Sequence, residues 1–235
     1  MKKFTSVLMI LISIVGISNA SVNTYTEGHA HIGLVEDGSL KLHFHAPSAT
    51  VNGVEDTELE CEAEDVIIVV PDAAIMTRQS GSEWDMIGTD AGADTWILTA
   101  SYQEGIPFLG FGAHDAEGIY IDNDINITLT GFSGPGEFSL FDTDAFGSPV
   151  FFMSSYDLGT NTFVFDLDDG DHAHLNFCFT EIGVYELTFT ASADLIGGGI
   201  ETSTATFTFE VVPEPVTIAL LGAGAVRLRR RVRCC

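Results

Sequence analysis

Val184-Tyr185-Glu186-Leu187-Thr188-Phe189-Thr190 decides the fold class. Its alternation puts Tyr185, Leu187 and Phe189 on one face and Glu186, Thr188 and Thr190 on the other, the period of a half-buried strand. Thr206-Phe207-Thr208-Phe209-Glu210-Val211 repeats the pattern. Outward from these, short β-rich runs bounded by Gly, Asp, Asn and Pro recur at 41–46, 66–70, 95–100, 125–131, 137–142, 149–153 and 162–167. Further runs follow at 173–179, 184–192 and 204–212. Helical periodicity is hard to find between 21 and 211, apart from one short helical turn expected at 82–87. The pattern predicts an all-β fold: one antiparallel β-sandwich over residues 21–212, with an immunoglobulin-like or jelly-roll layout.

Both flanks of that domain read as addresses. Residues 1–20 carry Lys2 and Lys3, an apolar run from Val7 to Val15, and Ser18-Asn19-Ala20, the order of parts in a cleaved secretory signal peptide. Residues 213–235 begin Pro213-Glu214-Pro215, whose prolines cannot continue a central strand. An apolar segment follows at 216–226, then Arg227, Arg229, Arg230, Arg231 and Arg233. The segment is shorter than the roughly 20 residues that span a bilayer. Its arginines should stay cytoplasmic and leave the domain outside.

Between the flanks only Lys41 and Arg78 oppose 33 carboxylates, a formal charge of −31 against −25 for the whole chain. That balance excludes nonspecific nucleic-acid binding, which needs Lys and Arg against phosphate, and argues against docking on anionic lipid. Membrane contact is expected only through the C-terminal tail before processing. With 46% apolar and 10% aromatic residues there is ample core, so this is no disordered acidic tail. Calcium fits less well than a transition metal: in Asp166-Leu167-Asp168-Asp169-Gly170-Asp171 the glycine comes one place early, and Phe177 stands where a closing Glu belongs. Cys61 and Cys178 are the cysteines within 21–212. An exported compartment permits their disulfide, yet nothing in the sequence brings them together. Cys61 is expected in an acidic loop at 58–65 and Cys178 in a strand.

Six of the seven histidines form His-x-His pairs: His29/His31, His43/His45 and His172/His174. Chance would give about 0.2 such pairs in a chain of this composition. Alternate strand residues share a face, so each pair aims both imidazoles the same way. The opposite faces are apolar, with Ala30, Ile32 and Leu34, then Leu42, Phe44 and Ala46, then Ala173, Leu175, Phe177 and Phe179. After the last pair the polar face is expected to continue through Asn176 and Cys178. Imidazole is the commonest ligand for zinc and similar ions, and surrounding carboxylates would favour a dication. The expected metal ligands are His29, His43, His45, His172 and His174, with His31 and His114 as outlying members. They could form one site or two sites with shared members. The competing reading is a solvated face where His replaces the missing Lys and Arg.

Enzyme signatures do not turn up. There is no His-Glu-x-x-His, nucleophile elbow, phosphate loop or dinucleotide glycine fingerprint. Gly131–Gly136 reads as a β-turn. A zinc-dependent hydrolase would need a general base and a pocket that the sequence does not display, so the chain points away from an enzyme.

Pro213-Glu214-Pro215, the apolar segment and the arginine cluster together resemble the PEP-CTERM sorting signal. The resemblance implies processing by exosortase-type machinery in a bacterium, with display on the surface, in the outer envelope or in an exopolysaccharide matrix. The domain is similar to the choice-of-anchor M domain of bacterial surface-anchored proteins. The resemblance is carried by Gly28-His29-Ala30-His31-Ile32-Gly33, Leu42-His43-Phe44-His45, Val69-Val70-Pro71-Asp72-Ala73-Ala74 and Thr77-Arg78. It continues through Thr95-Trp96-Ile97-Leu98, Phe108-Leu109-Gly110, Leu129-Thr130-Gly131-Phe132-Ser133-Gly134-Pro135-Gly136-Glu137-Phe138 and Asp144-Ala145-Phe146-Gly147. His172-Ala173-His174-Leu175-Asn176-Phe177 and Gly183-Val184-Tyr185-Glu186 complete it. The chain departs from the family at Trp96-Ile97-Leu98-Thr99-Ala100, where Trp-x-Leu-Pro-Gln is usual, and at Phe177, where Trp is common. Association of some members with metal-type ABC transporters implies a surface metal-handling role. The expectation is thus a noncatalytic surface protein binding zinc or another divalent transition metal. The alternative is a structural or adhesive acidic component of the envelope or exopolysaccharide matrix.

Overall fold

The structure is a computed structural model that describes residues 22–213, apart from 115, 117 and 170. The leader at 1–20, and the tail from Glu214 through Pro215, Arg227, Arg229, Arg230 and Arg231, lie outside the described residues.

The described chain is all-β, in two sheets. In chain order the strands are β1 (Asn23–Glu36), β2 (Ser39–Val51), β3 (Val54–Cys61), β4 (Val66–Val70), β5 (Ile75–Thr77), β6 (Asp94–Leu98), β7 (Pro107–Gly112) and β8 (Asp124–Ser133). They continue as β9 (Phe138–Thr143), β10 (Pro149–Ser154), β11 (Thr162–Asp166), β12 (His172–His174), β13 (Asn176–Phe179), β14 (Gly183–Asp194) and β15 (Ile200–Val211). The expected helical turn is a 3-10 turn at Ser82–Ile87. Among the described residues no helix is long and apolar enough to cross a membrane.

The larger sheet runs β11-β8-β14-β15-β4-β1-β2-β3, with β7 added on β1 and β12 on β7. The smaller runs β10-β9-β13-β6-β5. Its pairings are all antiparallel, as expected. The larger sheet is mixed, because β4 is parallel to both β1 and β15, and β7 is parallel to β1. Alternation encodes a buried face and not a strand direction, which is why the sequence pattern suggested antiparallel pairing throughout. The Val66-Ile67-Ile68-Val69-Val70 run has the near-continuous apolar character of a central parallel strand.

Tyr185, Leu187 and Phe189 of β14 and Phe207 and Phe209 of β15 are fully buried, joined by Phe44, Phe111, Phe138, Phe177 and Phe179. Burying each such aromatic removes apolar surface worth about 1.5–3 kcal/mol. Ala30, Ile32 and Leu34 of β1 and Leu42, Phe44 and Ala46 of β2 point into this core, so the histidines between them occupy the opposite face.

Two expectations are corrected. Residues 173–179 do not form one strand: the chain changes sheet at Leu175, with β12 pairing β7 and β13 entering the smaller sheet. The polar face therefore does not run on to Cys178, which packs with Trp84, Ile87, Ile97 and Phe141. The acidic segment before Cys61 is strand β3, not a loop. Its alternating acids face solvent while Leu59 and Cys61 lean on the core. Cys61 and Cys178 are both free thiols.

Candidate metal centre

β7 is the floor of the histidine face. It lies between β1 and β12: His31 and His174 both register on Gly110, His172 registers on Gly112, and Gly33 registers on Gly112 from the other side. Leu109 and Phe111 point into the core, leaving Phe108, Gly110 and Gly112 on the histidine side. The glycines make room for the rings. A Cβ at Gly110 would fall 2.5 Å from the Ala173 carbonyl oxygen and 2.9 Å from Nδ1 of His174, and one at Gly112 would fall 2.9 Å from Cγ of His31. Side chains from both neighbouring strands can therefore lean over β7 and meet.

β1 is shaped to deliver its pair. At Gly28 (φ +91°) a Cβ would sit 2.9 Å from both Ala49 Cα and Ser48 O, so only glycine fits this approach of β1 to β2. The register shifts between His29/Ser48 and His31/His45, placing a bulge at Ala46-Pro47 of β2. A bulge is a place where a strand tolerates proline.

The ligand nitrogens of His29, His31, His172 and His174 all lie within 4.8 Å of one another. Nε2 of His29 is 3.0 Å from Nε2 of His31 and 3.0 Å from Nε2 of His174. A tetrahedral ion with metal–nitrogen bonds of 2.0–2.1 Å separates its ligand nitrogens by about 3.3 Å, close to this spacing. A single proton on the His29 nitrogen cannot make two full hydrogen bonds, whereas one cation between the rings would satisfy all the converging lone pairs. The His174 ring stacks on Phe108 at 3.6 Å between centroids and 9° between planes, which fixes its orientation.

Burial and mutual repulsion favour the neutral form of His29, His31 and His174. His31 is 2% exposed, and burial, reinforced by His29, His174, His172 and His114, pushes its pKa down to about 2. Burial pulls His174 down to about 4; the Leu109 backbone opposes the shift, while His29 and His172 add to it. His29 is lowered by burial first, then by His172, His45 and His114. Neutral imidazole is the form that binds metal.

A second grouping, His31, His45 and His114, also has its ligand nitrogens within 4.8 Å of one another. Burial lowers the pKa of His45; Glu60 opposes this, and His114 and His43 reinforce it. The structure thus brings six of the seven histidines into two groups that share His31. His43 stands apart from both. Its Nδ1 lies 3.0 Å from the Lys41 carbonyl, to which the N–H form would donate, and its Nε2 lies 3.2 Å from Oε1 of Glu60. His43 is registered on Gly33 and packs over it, one pleat further along β1 than His45, whose partner is His31, and this keeps its ring out of both groups.

Sequence reasoning missed the parts that carry no ligand atom: Phe108, Gly110 and Gly112. A signal was present, since Phe108-Leu109-Gly110-Phe111-Gly112-Ala113-His114 alternates core residues with a face that ends on a histidine.

Cavities adjoin both ends of the cluster. One of about 550 Å³ is lined by Glu27, His29, Glu55, Asp56, Tyr102 and Glu104. Another of about 360 Å³ is lined by His43, His45, Glu60, His114, Glu36 and Asp37. Carboxylates at both mouths would raise the local concentration of a dication. No protein-family model and no curated protein matches the chain.

Proposed function

We propose that this is an exported, noncatalytic, surface- or matrix-associated β-sandwich that binds a divalent transition metal, zinc first. The convergence of His29, His31, His172 and His174 over the glycine floor of β7 supports the metal reading. An all-nitrogen, four-imidazole set suits zinc or a similar borderline ion and disfavours calcium and magnesium, which take oxygen ligands. Four protein ligands would also close the coordination sphere, the arrangement of a structural or storage site. Export and display by exosortase-type machinery are supported by the leader and by the Pro213-Glu214-Pro215 tail with its arginine cluster. Matrix polysaccharide and a metal-type transporter are the partners to test.

Untagged protein should carry zinc at pH 7, keep it at pH 5, where burial holds His31 and His174 neutral, and lose it only near pH 4 and below, measured by elemental analysis after dialysis. His172→Ala combined with His174→Ala should lower both the bound metal and the zinc-induced rise in melting temperature. Wild-type metal content and an unchanged zinc response in that variant would overturn the reading.

A further inference from the structure

We propose that the histidine cluster holds two metal ions and that His31 bridges them, Nε2 to the first and Nδ1 to the second. The bridge rests on the metal-site reading of His29, His31, His172 and His174, and adds a second ion bound by His31, His45 and His114. His31 is the one residue common to both groupings. Its Nε2 is committed to the first, 3.0 Å from Nε2 of His29. Its Nδ1 is buried and has no hydrogen-bond partner among the described residues. An orphaned ring nitrogen at 2% exposure is costly to leave without a partner, and metal-bound imidazoles almost always engage their second nitrogen. Here a second metal is the partner the surroundings offer.

The fold places that nitrogen on the correct side. Nδ1 lies over Gly112, 3.1 Å from where a Cβ would stand, two residues before His114. The ladder of β7 continues past Gly112, because the Ala113 N–H donates to the Asp171 carbonyl at 2.9 Å. His114 thus follows Gly112 in the strand period. His45 is the residue registered opposite His31 on β2. Three imidazoles leave a fourth position open, and it faces the cavity of about 360 Å³ that His45 and His114 line with Glu60. That opening would admit water or a small anion, with Glu60 offsetting the added charge. As the second ion binds, the His31 ring gives its remaining N–H proton to solvent. One N–H bond breaks, and each nitrogen then donates a lone pair to its own metal.

The test uses untagged metal-free protein, zinc and Cu(II). Wild-type protein should retain two zinc ions per chain after dialysis. His114→Ala and His45→Ala should each retain one, and so should the His172→Ala/His174→Ala variant. His45 and His114 are not core residues, so these variants should fold, which their metal-free melting curves would verify. Loaded with two Cu(II), the wild type should show an exchange-coupled pair by electron paramagnetic resonance, with the ordinary single-copper signal lost. His114→Ala should restore that signal. One zinc per chain, unaffected by His45→Ala and His114→Ala but lost in the β12 double variant, would overturn the second ion and leave the first standing. Two ions with two independent copper signals would overturn the bridge. No metal in any form would overturn the metal-site reading itself.

Discussion

The ring of His31 meets five other imidazoles, and its protonation links the site to stability. In the metal-free fold its pKa is pushed down to about 2 and that of His174 to about 4, both chiefly by burial. In the unfolded chain each returns to about 6.5. Between these values the unfolded state binds more protons, so stability is present above about pH 6.5 and is lost as pH falls below it. Each ring contributes a slope of up to about 1.4 kcal/mol per pH unit. Urea midpoints of metal-free protein should therefore drop between pH 7 and pH 5, where most carboxylates remain ionised, and His31→Gln should make that slope shallower without removing it, since His29, His45 and His174 are lowered too. A flat profile over this window would show that the rings are not held neutral by burial. The free cysteines invite a second measurement. Burial raises the thiol of Cys178 to about 12, and burial with Asp65 and Glu62 raises that of Cys61 to about 11. Thiolate is the reactive form, so iodoacetamide at pH 8 should label Cys178 only across the unfolding transition. Labelling of Cys178 in native buffer would contradict its packing beneath Trp84.

At the scale of elements, the site depends on one strand that carries almost no side chain toward it. Gly110→Ala would push a methyl group to 2.5 Å from the backbone oxygen of Ala173, and a backbone atom in a paired strand cannot step aside cheaply. The variant should cost about 1–3 kcal/mol, as overpacking does. It should also weaken zinc binding more than Ala113→Gly does, because β12 would be driven off β7 with both of its ligands. Equal zinc affinity in the two variants, measured by competition with a chromophoric chelator, would disprove the floor. The same strand marks the limit of what the sequence disclosed. β14 and β15 were legible because Tyr185, Leu187, Phe189, Phe207 and Phe209 alternate with polar residues without interruption. The three His-x-His pairs were legible by the same period. β7 was not, because glycine has low strand propensity and adds nothing to an apolar count. The break at Leu175 was hidden too: Ala173, Leu175, Phe177 and Phe179 keep a perfect alternation while the chain passes from one sheet to the other. Periodicity records which face is buried and is silent about the partner. For the same reason the sequence could not separate His43 from His45, which share a strand face and differ in their partners on β1, Gly33 for His43 and His31 for His45.

Over the whole molecule the charge is one-sided, and the fold uses the few cations it has. Lys41 pairs with Glu36 and Glu62, and Arg78, 6% exposed, pairs with Asp85 at 2.5 Å. Those are the only Lys and Arg residues within 21–212, so the other carboxylates of the domain repel one another with no basic side chain left to offset them. Such self-repulsion opposes the compact state and is screened by salt, whose Debye length falls from about 30 Å at 0.01 M to about 3 Å at 1 M. Metal-free protein should melt higher as sodium chloride is raised over that range. A gain of ~2 kcal/mol corresponds to about 4–8 °C for a chain of this size. Potassium chloride should act equally, because screening depends on ionic strength and not on the cation. Zinc should behave differently, raising the melting temperature at micromolar levels where its ionic strength is negligible, through mass action on the folded site. High salt should then weaken zinc binding by screening the carboxylates around Glu27, Glu55, Asp56 and Glu104, without abolishing it, since the ligands are neutral imidazoles. Zinc stabilisation that vanished in 1 M sodium chloride would place the ion among the surface carboxylates instead of on the histidines over β7.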